Sequence, residues 1–302
     1  MTDKPSVNSI ALSSSQLRGV SPTREMIRHI RRNPTAITGL VIVIILLVVA
    51  LLAPLISPYN PDKVDLDALL SSPSHSHWFG TDRLGRDILS RVIYGARISL
   101  LVGFVSQTFT LILGMLIGSI SGYYGGKTDT FFMRLAEVML AIPDVLLAIV
   151  ILAVFGPGIF KVIIALSVVG WAGKARLIRG QVLQTKNEDY VKAAKVAGAS
   201  NFRIILTHVL PNCMAPVIVS VTLGIAGAIM AEATLSFLGL GVQLPTPSWG
   251  NMIQGGYLYI TYASWLVIFP GIAIALAVFG FNLFGDGLNE AMDPRLRKLF
   301  NR

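Results

Sequence analysis

The sequence calls for an all-α, polytopic membrane protein with about six transmembrane helices, on three observations. Of its 302 residues, 53% are hydrophobic and only 14% charged, where a soluble domain carries roughly a quarter charged residues. The stretch from Val209 to Gly285 holds one formally charged residue, Glu232, and no soluble fold hides a run of that length. Apolar segments close to the about 20 residues that cross a hydrocarbon core recur along the chain. Backbone groups in lipid must be bonded internally, so these segments are expected to be helices.

In chain order, residues 1–34 are a basic lead-in to the first span, Thr35–Ser57. At 23 residues that span exceeds the roughly 7–15 of a removable signal core, and it reads as retained. Residues 58–97 open on the turn-rich Pro58-Tyr-Asn-Pro-Asp62 and close on helix-like Arg86–Ala96, whose Ile88, Val92 and Ile93 share a face. Ile98–Gly122 is the second span. Its Gly114, Gly118 and Gly122 strip one face of side chains, so that another helix can approach closely. Thr130–Phe155, the third, is interrupted by Arg134, Glu137 and Asp144, which are expected to share a helical face. Phe160–Ile178, the fourth, is uncharged only between Lys161 and Lys174, so five spans is the alternative count. Asn212–Leu235 and Ala263–Gly285 complete the set. Between them Ser236–Tyr262, uncharged but broken by Pro245, Pro247 and Gly250, suits a short re-entrant or interface-lying element packed on protein.

Lys and Arg favour cytoplasmic connections. Residues 1–34 carry six of them, 174–208 seven and 286–302 four, and six spans place all three stretches, and so both termini, in the cytoplasm. Residues 58–97 disagree, with five basic residues placed outside, although five aspartates offset them. The formal net charge of +9 is therefore read as topology and attraction to anionic membrane lipid, not as nucleic-acid binding. The single Cys213 has no partner for a disulfide or a thiolate metal site.

No catalytic, cofactor or metal site assembles from the residues. Ser121-Gly-Tyr-Tyr-Gly-Gly-Lys-Thr128 ends like a phosphate-binding loop, but Ser121 stands where that loop needs its first Gly, and a membrane span rather than a buried strand leads into it. His75-Ser-His77 lies in a Ser- and Pro-rich stretch that reads as a solvated turn. Charged groups inside the membrane are costly and so are functional candidates. Asp144 and Glu232, the latter near the outer end of the fifth span, are the candidates for a translocation path, with a packing ion pair as the alternative for each.

The segment of about 186–211 is the most informative. After Asp189-Tyr190, the small residues Ala193, Ala194 and Ala197, followed by Gly198, describe a short helix with a smooth face and a permissive stop. Ser200 is placed to cap a second helix running towards Leu210-Pro211. On pattern alone this is an amphipathic connector. It resembles, however, the EAA motif of permease subunits of binding-protein-dependent ABC importers: Ala193, Ala194, Gly198, Leu210 and Pro211 match at the right spacing. Lys192 replaces the motif's Glu and His208 its Ile, so no contact of that carboxylate is carried over.

Further stretches are similar to the dipeptide/oligopeptide/nickel branch of that family, its "C-type" permease: Phe79-Gly-Thr-Asp-Arg-Leu-Gly-Arg-Asp87, Gly95-Ala-Arg-Ile-Ser-Leu100, Ser236-Phe-Leu-Gly-Leu-Gly241, Pro245-Thr-Pro-Ser-Trp-Gly250, and Phe281-Asn-Leu-Phe-Gly-Asp-Gly287 with Asp293-Pro294. The resemblance implies a type I importer permease fold across 98–285, in a bacterial or archaeal cytoplasmic membrane. It implies no enzymatic activity on this chain. The expected partners are a second homologous permease, two cytoplasmic ATPase subunits that bind ATP and Mg, and an extracytoplasmic solute-binding protein. The segment of 186–211 then becomes the ATPase-coupling element. Pro245, Pro247, Trp249 and Gly250 become candidates for docking the binding protein, with membrane-interface anchoring as the alternative for Trp249. The expected cargo is short peptides, with nickel, a metal chelate or another small solute as the alternative, and a gradient-driven carrier or channel as the alternative of another class.

Overall fold

The computed structural model of the chain describes residues 33–292; the basic cluster before Asn33 and the tail with Asp293-Pro294 lie outside them. The described residues form helices and turns, with an isolated bridge between Thr81 and Asp87. Pro34–Leu51 (α1) starts on Asn33, whose side chain accepts from the Thr35 and Ala36 amides. It ends before Pro54, and one further turn, Ala53–Ile56, follows.

Ile88–Tyr124 (α2) is a single helix of 37 residues, about 55 Å at 1.5 Å per residue. The helix-like end of the outer segment and the second span are therefore one element, not two. Asp87 caps it through the Ser90 amide.

The expected third span is two helices, Gly126–Leu140 (α3) and Asp144–Phe155 (α4), bent by 89°. Pro143 explains the break: it donates no amide proton and pushes the residue before it away from helical geometry. Asp144 therefore opens α4 and does not share a face with Arg134 and Glu137, which pair on α3 at 2.9 Å.

Ile159–Thr185 (α5) runs past the expected end of span four, so Lys174, Arg176 and Arg179 sit on this helix rather than in the following connector. The glycine face of α2 receives it. A Cβ on Gly118 would lie 2.6 Å from the Ala175 carbonyl oxygen, and one on Gly122 2.9 Å from Val182 Cβ. The paired residues rise together in number, so α2 and α5 are parallel, and α3 with α4 is the return crossing between them. Among the described residues, four helices are long and apolar enough to cross a membrane, five with the bent pair. Lys161, Lys174 and Arg176 make α5 less apolar, but its course along α2 makes it the remaining crossing.

Asp189–Val196 (α6) follows, then one turn at Asn201–Ile204, a π turn at Ile205–Val209, and Leu210–Phe237 (α7). The buried, capped helix Trp249–Gly256 (α8) is the short element expected between the last two spans. Trp265–Met292 (α9) packs antiparallel to α1, with Gly39 against the Phe284 amide and Gly287 against Ala36. Contacts collect residues 51–87, 155–159 and 237–265 at one end of the bundle, and 122–129 and 185–209 at the other.

Candidate functional site

At the second end, α6 rests on a cluster of Ile178 and Val182 from α5, Ile204 and Val209 from the turns, and Cys213 and Val217 from α7. Val191 is buried in this cluster and Ala194 is half-buried against it. Gly198 has φ +82°, the left-handed conformation that glycine adopts without steric cost. The Gly198 amide donates to the Lys195 carbonyl and the Ala199 amide to that of Ala194, a paired stop that satisfies the end of α6. Ser200 Oγ accepts from the Arg203 amide and starts the next turn.

Within the chain, the small size of Ala194 and Gly198 has two separate causes, packing and backbone conformation. Ala194 packs on its own chain, and a Cβ at Gly198 would meet nothing within 4 Å. The outward surface comes from Tyr190, Ala193, Ala197 and two residues the sequence did not single out, Val196 and Phe202, which are 89% and 71% exposed. Burial and the Glu188 carboxylate raise the Tyr190 phenol above its ordinary pKa. Lys192 pairs with Asp189 at the surface, 3.1 Å apart, a contact worth little in water. Leu210 is buried in the cluster while Pro211 is exposed.

Further along the same helices a cavity of about 490 Å³ opens between α2, α4, α5 and α7. Asp144 reaches it. So do three residues missed in the sequence: Gln107 and Thr110 from α2 and Lys174 from α5. Lys174 Nζ donates to the carbonyl oxygen and, at 2.6 Å, to the hydroxyl of Ser220 on α7. Its charge was legible, but counting it with a basic connector hid its position.

Glu232 is fully buried elsewhere. It accepts from Ser99 Oγ at 3.0 Å and Ser236 Oγ at 2.6 Å, and Ser236 Oγ in turn accepts from the Val242 amide. It joins α2 and α7 to the layer built from residues 51–87 and 237–265 rather than lining the cavity.

In that layer Arg91, 2% exposed, donates to the Pro61 carbonyl and lies 3.4 Å from Asp62. Asp82 accepts from the Leu84 and Arg86 amides and pairs with the Arg86 side chain. His77 Nδ1 bonds Asp87 at 2.9 Å. Gly125 joins α2 to α3 at positive φ, as does Gly126, which opens α3, so the Gly-Lys-Thr stretch is the first turn of that helix. Trp249 is not an interface anchor: it is 1% exposed and its indole donates to the Val92 carbonyl. Pro247 and Gly250 are buried with it, so Pro245 is the docking candidate left at the surface.

Residues 114–298 match the family described as the binding-protein-dependent transport system inner membrane component. The chain belongs to that family. Residues 21–73 match the N-terminal TM domain of oligopeptide transport permease C. The permease is 44% identical to the dipeptide transport system permease protein DppC of Alkalihalophilus pseudofirmus, over 93% of each chain. It is 42% identical to the oligopeptide transport system permease protein OppC of Bacillus subtilis, over 93% of this chain and 92% of that one, and 46% identical to DppC of Escherichia coli, over 92% and 95%. Among solved structures, an inward-facing form of the MetNI methionine ABC transporter shares the fold, with TM-score 0.55 and 17% identity over 67% of this chain and 96% of that one.

Proposed function

We propose that this permease is one half of the translocation path of an ATP-driven importer that carries short peptides across the cytoplasmic membrane. The observation that carries the reading is 42–46% identity, over more than nine-tenths of the chain, to dipeptide and oligopeptide permeases. On this reading a second homologous permease completes the path and two ATPase subunits supply ATP and Mg chemistry in the cytoplasm. A solute-binding protein delivers cargo outside, meeting the chain near Pro245, and both termini are cytoplasmic.

The ATPase meets the outward surface of α6 and the turn after it. Val196 and Phe202 support this, as exposed apolar surface on that stretch which a partner would cover. Nucleotide shifts the permease between states only by its differential affinity for them, so α6 must move with the ATPase and carry α5 and α7 with it.

The test is uptake of a labelled dipeptide and of labelled nickel by cells with and without this chain. Loss of dipeptide uptake alone is expected; loss of nickel uptake alone would overturn the cargo.

A further inference from the structure

We propose that Lys174, Gln107 and Thr110 form a subsite for the carboxylate end of a translocating peptide. This rests on the peptide reading of the cargo. Four observations point to it. The cavity, about 490 Å³, is within the roughly 300–1,000 Å³ range of small-ligand sites. Gln107 is 8% exposed and Thr110 fully buried, and both border the cavity. Their Oε1 and Oγ1 nevertheless have no hydrogen-bond partner among the described residues. Buried polar atoms are paired in roughly nine cases of ten, so an amide oxygen and a hydroxyl left unpaired beside one cavity mark a place where something else bonds.

Lys174 supplies the charge. Its ammonium has three protons, and Ser220 takes two through its carbonyl and hydroxyl oxygens. It makes no ion pair among the described residues, and neither does Asp144 on the α4 side of the cavity. Intramembrane charges that do not pair with each other are costly unless a ligand or water meets them. A cation and a carboxylate in one cavity match the two ends of a zwitterion, Lys174 the carboxylate and Asp144 the ammonium. Gln107 Oε1 then accepts the amide proton next to that carboxylate, and the Thr110 hydroxyl donates to the peptide carbonyl oxygen.

Glycines make the room. A Cβ on Gly224 would collide with Gln107 Oε1 and lie 3.1 Å from Lys174 Nζ, and one on Gly170 would lie 3.1 Å from Thr110 Oγ1. Any larger residue at these two positions would displace the polar atoms.

The test uses the assembled importer in proteoliposomes with its solute-binding protein, and labelled dialanine beside its C-terminal amide. The binding protein is common to wild type and variant, so its own preference cancels when their acid-to-amide uptake ratios are compared. Lys174→Met is expected to lower that ratio about tenfold, the scale of one lost charge-assisted hydrogen bond, while Lys174→Arg retains part of it. Thr110→Val, which keeps the shape, is expected to lower uptake of both peptides alike, at least about threefold. An unchanged ratio in Lys174→Met, or full uptake by Thr110→Val, would overturn the subsite. Assembly is read by co-purification of the ATPase, and Lys174→Gln carries the same expected ratio should the Met variant fail to assemble. A wild-type importer that carries neither peptide defeats the cargo reading itself, a result distinct from wild-type transport with an unchanged ratio.

Discussion

Gly118→Ala sets two opposed effects against each other. Replacing glycine inside a helix gains about 0.5–1 kcal/mol of backbone entropy where there is room. At Gly118 there is none: the new methyl would lie 2.6 Å from the Ala175 carbonyl oxygen and 3.0 Å from Ile178 Cβ. That is most of an ångström short of ordinary contact, and the oxygen belongs to a helix backbone that cannot rotate away. Forcing a methyl group into a close-packed site costs about 1–3 kcal/mol, so overpacking exceeds the entropy gain. Helix association in lipid depends on such packing, and separating α2 from α5 weakens it along both. A net loss of about 1–2 kcal/mol is expected. Gly180→Ala is the control, because a Cβ there meets nothing within 4 Å; it should be neutral or up to about 1 kcal/mol stabilising. Reversible unfolding of the purified chain in mixed micelles measures both. Gly118→Ala at or above wild-type stability, with Gly180→Ala below it, would refute the assignment of the glycine face.

Gly198→Ala keeps all the space it needs but takes φ +82°, which costs a non-glycine residue about 1–2 kcal/mol. Fraying of α6 should appear as reduced co-purification of the ATPase, with Gly198→Asn milder. Val196→Asp and Ala194→Asp should separate docking from folding: the first lowers ATPase retention and leaves the melting temperature of the free chain unchanged, while the second lowers that temperature because Ala194 packs on the chain's own cluster. Glu232→Ala leaves the hydroxyls of Ser99 and Ser236 without their buried acceptor and should cost about 1–3 kcal/mol in thermal unfolding. Glu232→Gln should retain dipeptide uptake, since the side chain braces α2 and α7 against residues 237–265 rather than lining the cavity.

The glycine face of α2 was legible because small residues four apart leave one pattern on any helix. Which helix fills it was not, since nothing in one sequence pairs Gly118 with Ala175. The bend in the third span was written in Pro143, whose effect an apolar average over Thr130–Phe155 conceals. Trp249 misled for a related reason. A tryptophan beside a span has an apolar body and one polar atom, which suits a membrane interface as well as a protein slot. The slot exists because Gly95 opposes it: a Cβ there would sit 3.1 Å from the indole. The turn of α6 was fully written in Gly198 and Ser200, because caps are local. The cavity was not, because Gln107, Thr110 and Lys174 converge only once α2 and α5 lie parallel.

That parallel arrangement links the two halves of the site. The cluster under α6 ends on Ile178 and Val182 of α5 and on Cys213 and Val217 of α7. The cavity begins about one turn further on the same two helices, at Lys174 and Ser220. The Lys174–Ser220 hydrogen bonds tie α5 to α7 where cluster gives way to cavity. A displacement of α6 that slides α5 against α7 must stretch them, and with them move the ammonium proposed to hold the cargo. One that moves both helices together leaves them intact and tilts the pair against α9, where Leu223 abuts Gly285. Close packing leaves little room for intermediate positions, so the relative motion of α5 and α7 decides whether coupling acts on the grip on the peptide or on the width of the path.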